Sequence, residues 1–257
     1  MRPFTHIPSL ILVVIAAGAL PVRPLVAQAT RADSAAQLCL AADTAKRWKE
    51  VAMGWAIRPD DHGSNPSLRR RLLDLARRDQ GIRNVPGLAD STSSASFTRR
   101  LARSDSANAA ELMALVRRYG WPTRKLVGVQ AASAAFLVAQ HNPRIQQEAL
   151  RRMSALPAGQ VSPADLAALR DRVLVSRGNP QIYGTQLDQP QPGKPMEFAP
   201  ILDLPHLDAR RAEAGLPPLG TYMCMLHSLY GREVEPPRNA RPPLPAPLRQ
   251  RANPKKL

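Results

Sequence analysis

Val127-Gly128-Val129-Gln130-Ala131-Ala132-Ser133-Ala134-Ala135-Phe136-Leu137-Val138-Ala139 reads as the helix around which the others pack. Nearly every residue in it is small or apolar. A helix apolar all round is a central, buried one, and its alanines let neighbours approach closely. Gln140 and His141 end it, and Asn142-Pro143 forbids simple continuation. The stretch before it sets the corner. Leu112, Leu115, Val116 and Tyr119 recur at helical spacing, Gly120 stops that helix, and Trp121-Pro122 turns the chain. Thr123 stands ready to cap the next helix.

Other segments read as amphipathic helices. Leu38, Ala41, Ala45, Trp48 and Ala52 make one stripe over 33–54. Leu68, Leu72 and Leu75 share a face after a loop at 60–66, with Ser67 as the cap. A Gly/Ser/Thr-rich loop over 84–98 precedes a helix opening at Asp105. Ile145, Ala149, Met153 and Leu156 form the next face. Ser162-Pro163-Ala164-Asp165 is a helix start with cap, proline at the first position and an acid at the third. Short helices follow near 207–214 and 218–230. After Gly178 and before 207 the period changes, and Gln181–Gln186 with Met196–Leu202 predicts a small β-hairpin near 181–202, with Pro200 at an edge.

Composition agrees with a mainly α class. Hydrophobic residues are 44% of 257, yet aromatics are only 4%, so the core must be built from Ala, Leu and Val. The predicted organisation is a signal peptide over 1–29, an N-terminal helix and loop over 30–66, a helical domain over 67–234 and a Pro-rich basic tail over 235–257. Arg2, the apolar run through Leu20 and Ala27-Gln28-Ala29 are the marks of a secretory leader cleaved before Thr30. The run is shorter than the roughly 20 apolar residues of a membrane span. The expectation is therefore a periplasmic or extracellular protein. In such a compartment Cys39 and Cys224 can pair, or stand as two half-buried thiols.

The formal charge is +16. Without the leader it is +14, and without residues 236–257, which carry six basic and no acidic side chains, the body is +8. That balance permits a polar or anionic small molecule or an envelope polymer as partner, though a solvated basic surface accounts for it as well. No specific nucleic-acid motif is present. There is no HExxH, no CxxC pair, no phosphate-binding glycine loop and no G-x-S-x-G, so no cofactor or metal is expected.

Asp79-Gln80 with Arg83, Asp105 with Asn108, Gly120-Trp121-Pro122, Val127-Gly128, Gln140-His141, Asp171-Arg172-Val173, Gln181-x-Tyr183-Gly184-Thr185-Gln186, and Arg210-Arg211 with Gly215-Leu216 and Tyr222 stand in order. This ordered set resembles the bacterial domain-of-unknown-function family numbered 6624, from about Leu68 to about Leu226. The resemblance implies that these polar positions belong to the domain rather than to this chain alone. It names a domain without naming a reaction.

Among them His141 is the candidate for moving a proton near neutral pH, or for capping a helix end. Asp171 and Arg172 are adjacent, about 100° apart on a helix. Arg172 reads as the site member and Asp171 as its support, with a surface ion pair as the plainer alternative. Gln181, Tyr183 and Gln186 offer paired donors and acceptors to a polar ligand, or satisfy buried backbone. The helix-end placements predict that His141, Arg172, Gln181, Tyr183 and Gln186 line one pocket. Trp121 would be its wall and Asp79 or Arg210 its rim. The favoured function is a non-catalytic binding module for a polar or anionic envelope ligand. The alternative is a hydrolase or lyase with catalytic His141 and Asp171, His141 as general base and Arg172 stabilising an anion.

Overall fold

The apolar run quoted above forms helix α4 (Arg124–Ala139), and almost all of it is buried. In the computed structural model, residues 39–40, 43, 45–56, 61–83, 95–188 and 193–237 are described. The expected leader (1–29) and nearly all of the basic tail lie outside the described residues. The described helices are α1 (Arg47–Met53), α2 (Pro66–Gly81), α3 (Ala95–Tyr119), α4, α5 (Pro143–Ser154), α6 (Pro163–Ser176), α7 (Leu207–Glu213) and α8 (Leu219–Tyr230). None of them is long and apolar enough to cross a membrane. The chain is mainly helical, as its Ala/Leu composition requires.

The described chain divides into two compact units. One holds residues 50–169, the other 39–49 with 170–237. In the first, α4 packs against α2, α3 and α5. Leu68, Leu72 and Leu75 of α2, Leu112 and Val116 of α3, and Ala149 and Met153 of α5 close the core around Ala131, Ala135 and Val138. Thr123 caps α4, its hydroxyl accepting from the Leu126 N–H at 3.2 Å. Gly128 kinks it, with φ 77° and ψ 164°. The backbone of Asp61 runs against that kink so closely that a Cβ on Gly128 would lie 2.2 Å from the Asp61 carbonyl oxygen. The Asp61 carboxylate then accepts from the Val129 N–H at 3.2 Å and caps the restarted helix.

The second unit is built on Ile201, Leu207, Leu216, Tyr222 and Leu226. Phe198 and Tyr222 pack with ring centroids 6.1 Å apart. Cys39 and Cys224 are bonded, with Cα atoms 5.9 Å apart, which selects pairing from the two possibilities open in the sequence.

Four local expectations are corrected. No strand occurs among the described residues, so the hairpin near 181–202 is replaced by isolated bridges, Gln181 to Ile201 parallel and Leu187 to Phe198 antiparallel. The Gln181 side chain reinforces these bridges, its Nε2 donating to the Gln186 and Ala199 carbonyls, each at 2.8 Å. The helix expected over 33–54 is not continuous, because 43 and 45–46 lie outside helix. There Asp43 accepts from the Ala45 N–H, the Trp48 indole and the Thr221 hydroxyl, a local competition that unwinds helix. Asn65, rather than Ser67, caps α2. Finally, α3 begins at Ala95 instead of Asp105, because Phe97 and Leu101 are buried and anchor the additional turns.

Candidate functional site

In the first unit, the C-terminal ends of α2 and α4 meet the middle of α3. Asp79 is in the last turn of α2, Asp105 and Asn108 are one turn apart on α3, and Gln140-His141-Asn142 leads out of α4. Asp79 is fully buried, and its Oδ2 lies 2.8 Å from His141 Nδ1. A carboxylate only accepts, so the ring donates from Nδ1. Gln80 Nε2 donates to the same oxygen at 2.8 Å. Arg83 Nη1 donates to Asp79 Oδ1 at 3.1 Å while its Nη2 pairs with Asp105. One guanidinium thus bridges two carboxylates. Burial raises the Asp105 carboxyl, and Arg83 opposes that rise. Asn142 Nδ2 donates to the Asp105 carbonyl at 3.3 Å, and Gln146 Nε2 to the Gln140 carbonyl at 2.7 Å.

Around this network two buried amide donors, Asn108 Nδ2 and Gln140 Nε2, have no acceptor among the described residues. Trp121, the expected wall, sits before α4, whereas His141 follows it. The helical stretch from Val129 to Ala139 alone spans about 16 Å. The Trp121 indole N–H is likewise buried without an acceptor among the described residues, and its ring belongs to the apolar core.

The other residues selected from the sequence belong to the second unit, and they gather on one loop. Asp171, fully buried on α6, accepts from the N–H groups of Ile182 (2.7 Å), Tyr183 (3.1 Å) and Thr185 (3.1 Å), and from the Thr185 hydroxyl (2.9 Å). Burial raises its carboxyl while these donors pull it back. Gly184, at φ 64°, gives the loop the left-handed residue that turns successive N–H groups to one carboxylate. From the opposite side Arg210 Nε donates to the Ile182 carbonyl at 3.0 Å, and Arg211 Nη1 to the Tyr183 and Gly184 carbonyls at 2.7 and 3.1 Å. The loop is therefore gripped on its N–H side by an acid and on its C=O side by two arginines. Gln181 Oε1 accepts from the Gln186 N–H at 2.8 Å, so both ends of that amide hold main chain. Gln186 Nε2 donates to Thr185 Oγ1 at 3.0 Å. Tyr183 is half-buried and takes part through its backbone. Arg172 is half-buried beside Asp171.

The structure thus brings Asp171, Gln181, Tyr183, Gln186 and Arg210 to one loop, and His141 to a separate acid–arginine network in the other unit. Sequence reasoning placed Asp79 at a rim, yet it is the direct partner of His141. It also passed over Arg211, Asn108 and Gln140 as site residues. The ordered polar set contained all of these, but pairing across a spacing of 62 residues is not visible in one dimension.

Both networks fall inside a stretch that matches a known family. The sequence model of DUF6624, described as a family of unknown function, covers residues 66–235. The chain belongs to that family. The DUF6624 region takes in the whole Asp79–His141 network and the Asp171 loop, and it leaves out Cys39 and Asp43. No curated protein and no solved structure matches the chain significantly. Among the described residues no cluster of three or more His, Cys, Asp or Glu side chains could hold a metal.

Proposed function

We propose that this DUF6624 protein is an exported, non-catalytic binding protein, and that its 50–169 unit holds a small polar ligand at the Asp79–His141 network. The observation that carries the reading is the pair of buried donors without acceptors among the described residues, Asn108 Nδ2 and Gln140 Nε2. A buried donor left unmade costs about 1–3 kcal/mol, and a ligand oxygen would recover that. Two carboxylates share one guanidinium here, so the network favours a neutral, hydroxyl- or carbonyl-bearing ligand over a strong anion.

Export is supported by the leader pattern before Thr30 and by the Cys39–Cys224 bond, since disulfides persist in oxidising compartments. N-terminal sequencing of secreted protein should read from Thr30; a mature chain beginning at Met1 refutes export.

The binding reading is tested by identifying small molecules released from protein purified from its own envelope, then by adding the identified compound to wild type and Gln140→Met. The substitution keeps the shape and removes the donor. Wild type should gain thermal stability with the compound and Gln140→Met should not. An equal gain in both discards the site.

A second reading is favoured by one contact. The Asp79 carboxylate on His141 Nδ1 orients the ring as a general base is oriented, so a hydrolase or lyase is the alternative. In that case His141→Ala abolishes turnover of the identified compound while the chain still folds. A compound recovered chemically unchanged after long incubation with wild type favours binding alone.

A further inference from the structure

The 170–237 region contains a buried cation with no ion-pair partner among the described residues. Arg211 is 1% exposed. Its Nε donates to the Pro217 carbonyl at 2.6 Å and its Nη1 to the Tyr183 and Gly184 carbonyls. All three acceptors are neutral. Asp171 and Asp208 act on it only at longer range, and burial pulls the guanidinium down to about 10. The Asp171 oxygens are turned to the N–H side of the loop that Arg211 holds from the C=O side. The hydrogen bonds of Arg211 run from Nε and Nη1.

The guanidinium lies over the ring of Tyr222, its central carbon 4.8 Å from the centroid. Tyr222 is 7% exposed, and its hydroxyl is buried without a partner among the described residues. Burial pushes that phenol far up, so it is a donor at every ordinary pH, and Arg172 lies close enough to act on it electrostatically. The groups at this place are therefore a guanidinium with unused N–H groups, a second guanidinium nearby, and a hydroxyl lacking an acceptor. An isolated buried charge is costly and is usually paired. Arginine presents a planar fork suited to carboxylate or phosphate oxygens.

We propose that Arg211 and Tyr222 form an oxyanion-binding subsite for a carboxylate or phosphate group, in which Arg211 Nη2 and the Tyr222 hydroxyl donate to the anion. The subsite is independent of the Asp79–His141 network. It also explains why the loop is gripped from two sides, because the grip fixes the guanidinium that receives the anion.

The test is thermal melting of the full mature chain in phosphate, acetate and chloride at equal ionic strength, with wild type, Tyr222→Phe and Arg211→Lys. Tyr222→Phe keeps the ring under the guanidinium and removes only the hydroxyl, so the fold is retained. Phosphate or acetate should raise the melting temperature of wild type above its value in chloride. A response to phosphate alone assigns a phosphoryl group, and a response to acetate assigns a carboxylate. Tyr222→Phe should lose the response. Arg211→Lys keeps the charge without the fork, and should need about tenfold more anion for the same shift. Identical melting of wild type in the three salts overturns the proposal. So does a Tyr222→Phe chain that keeps the full anion response, which would leave Arg211 as a strut for the loop and nothing more.

Discussion

Replacing Asp171 with asparagine should destabilise the 170–237 region by about 2–3 kcal/mol, and the figure comes from counting bonds. Oδ1 accepts from Ile182 and Oδ2 from Thr185 twice, while the Tyr183 N–H is shared between them. The best asparagine rotamer keeps its oxygen at the Oδ2 position and turns its amide toward Ile182. One N–H is then orphaned, at about 1–3 kcal/mol. The surviving bonds change from charge-assisted to neutral, each roughly half as strong. Removing a charge from a buried site offsets part of this, because burial alone disfavours the carboxylate. Asp171→Ala, which deletes every acceptor, should cost about 4 kcal/mol or more. Urea denaturation measures both. A chain of two compact units can unfold in two steps, so the transition to monitor is the one that moves when reductant opens Cys39–Cys224, a bond in the same unit as the loop. An Asp171→Asn variant within about 0.5 kcal/mol of wild type refutes the reasoning. It would mean that desolvation cancels all the bonds and that Arg210 and Arg211 alone shape the loop.

Other consequences can be checked on the same material. Reducing Cys39–Cys224, whose cysteines are 185 residues apart, should lower stability by about 5 kcal/mol in the chain-entropy account, and equal melting with and without reductant contradicts it. Asp165 is buried against the Ser133 hydroxyl at 2.6 Å, and burial raises it from 3.8 to about 7. A raised acid stabilises the fold while protonated and loses that contribution as pH climbs from about 4 through 7, here at most about 4 kcal/mol. Wild type should therefore melt lower at pH 8 than at pH 5, with a flatter profile for Asp165→Asn; parallel profiles would exclude Asp165 as the cause. Gly128→Ala should cost about 3 kcal/mol or more, since a Cβ meets the Asp61 carbonyl at 2.2 Å and φ is 77°. Melting of that variant within about 1 °C of wild type would show that the kink relaxes freely.

Much of this protein was readable in one dimension because helices are local. The buried run from Val127 to Ala139, the caps at Thr123 and Ser162, and the stops at Gly120 and Pro143 depend on residues within a turn or two, and the structure has helices where they predict them. The mainly α class followed from an Ala/Leu-rich, aromatic-poor composition for the same reason. Local signals failed where a distant group competed. Asp43 interrupts the 33–54 stripe with help from Thr221, and the Gln181 amide ties together main chain at Gln186 and Ala199, 5 and 18 residues away. That Asp79 holds His141, that Arg83 bridges Asp79 and Asp105, and that Asp171 and Arg211 grip one loop from opposite sides follows from packing alone. A carboxylate's partner is set by which element ends the packed core brings within about 3 Å, and sequence spacing carries no record of that distance.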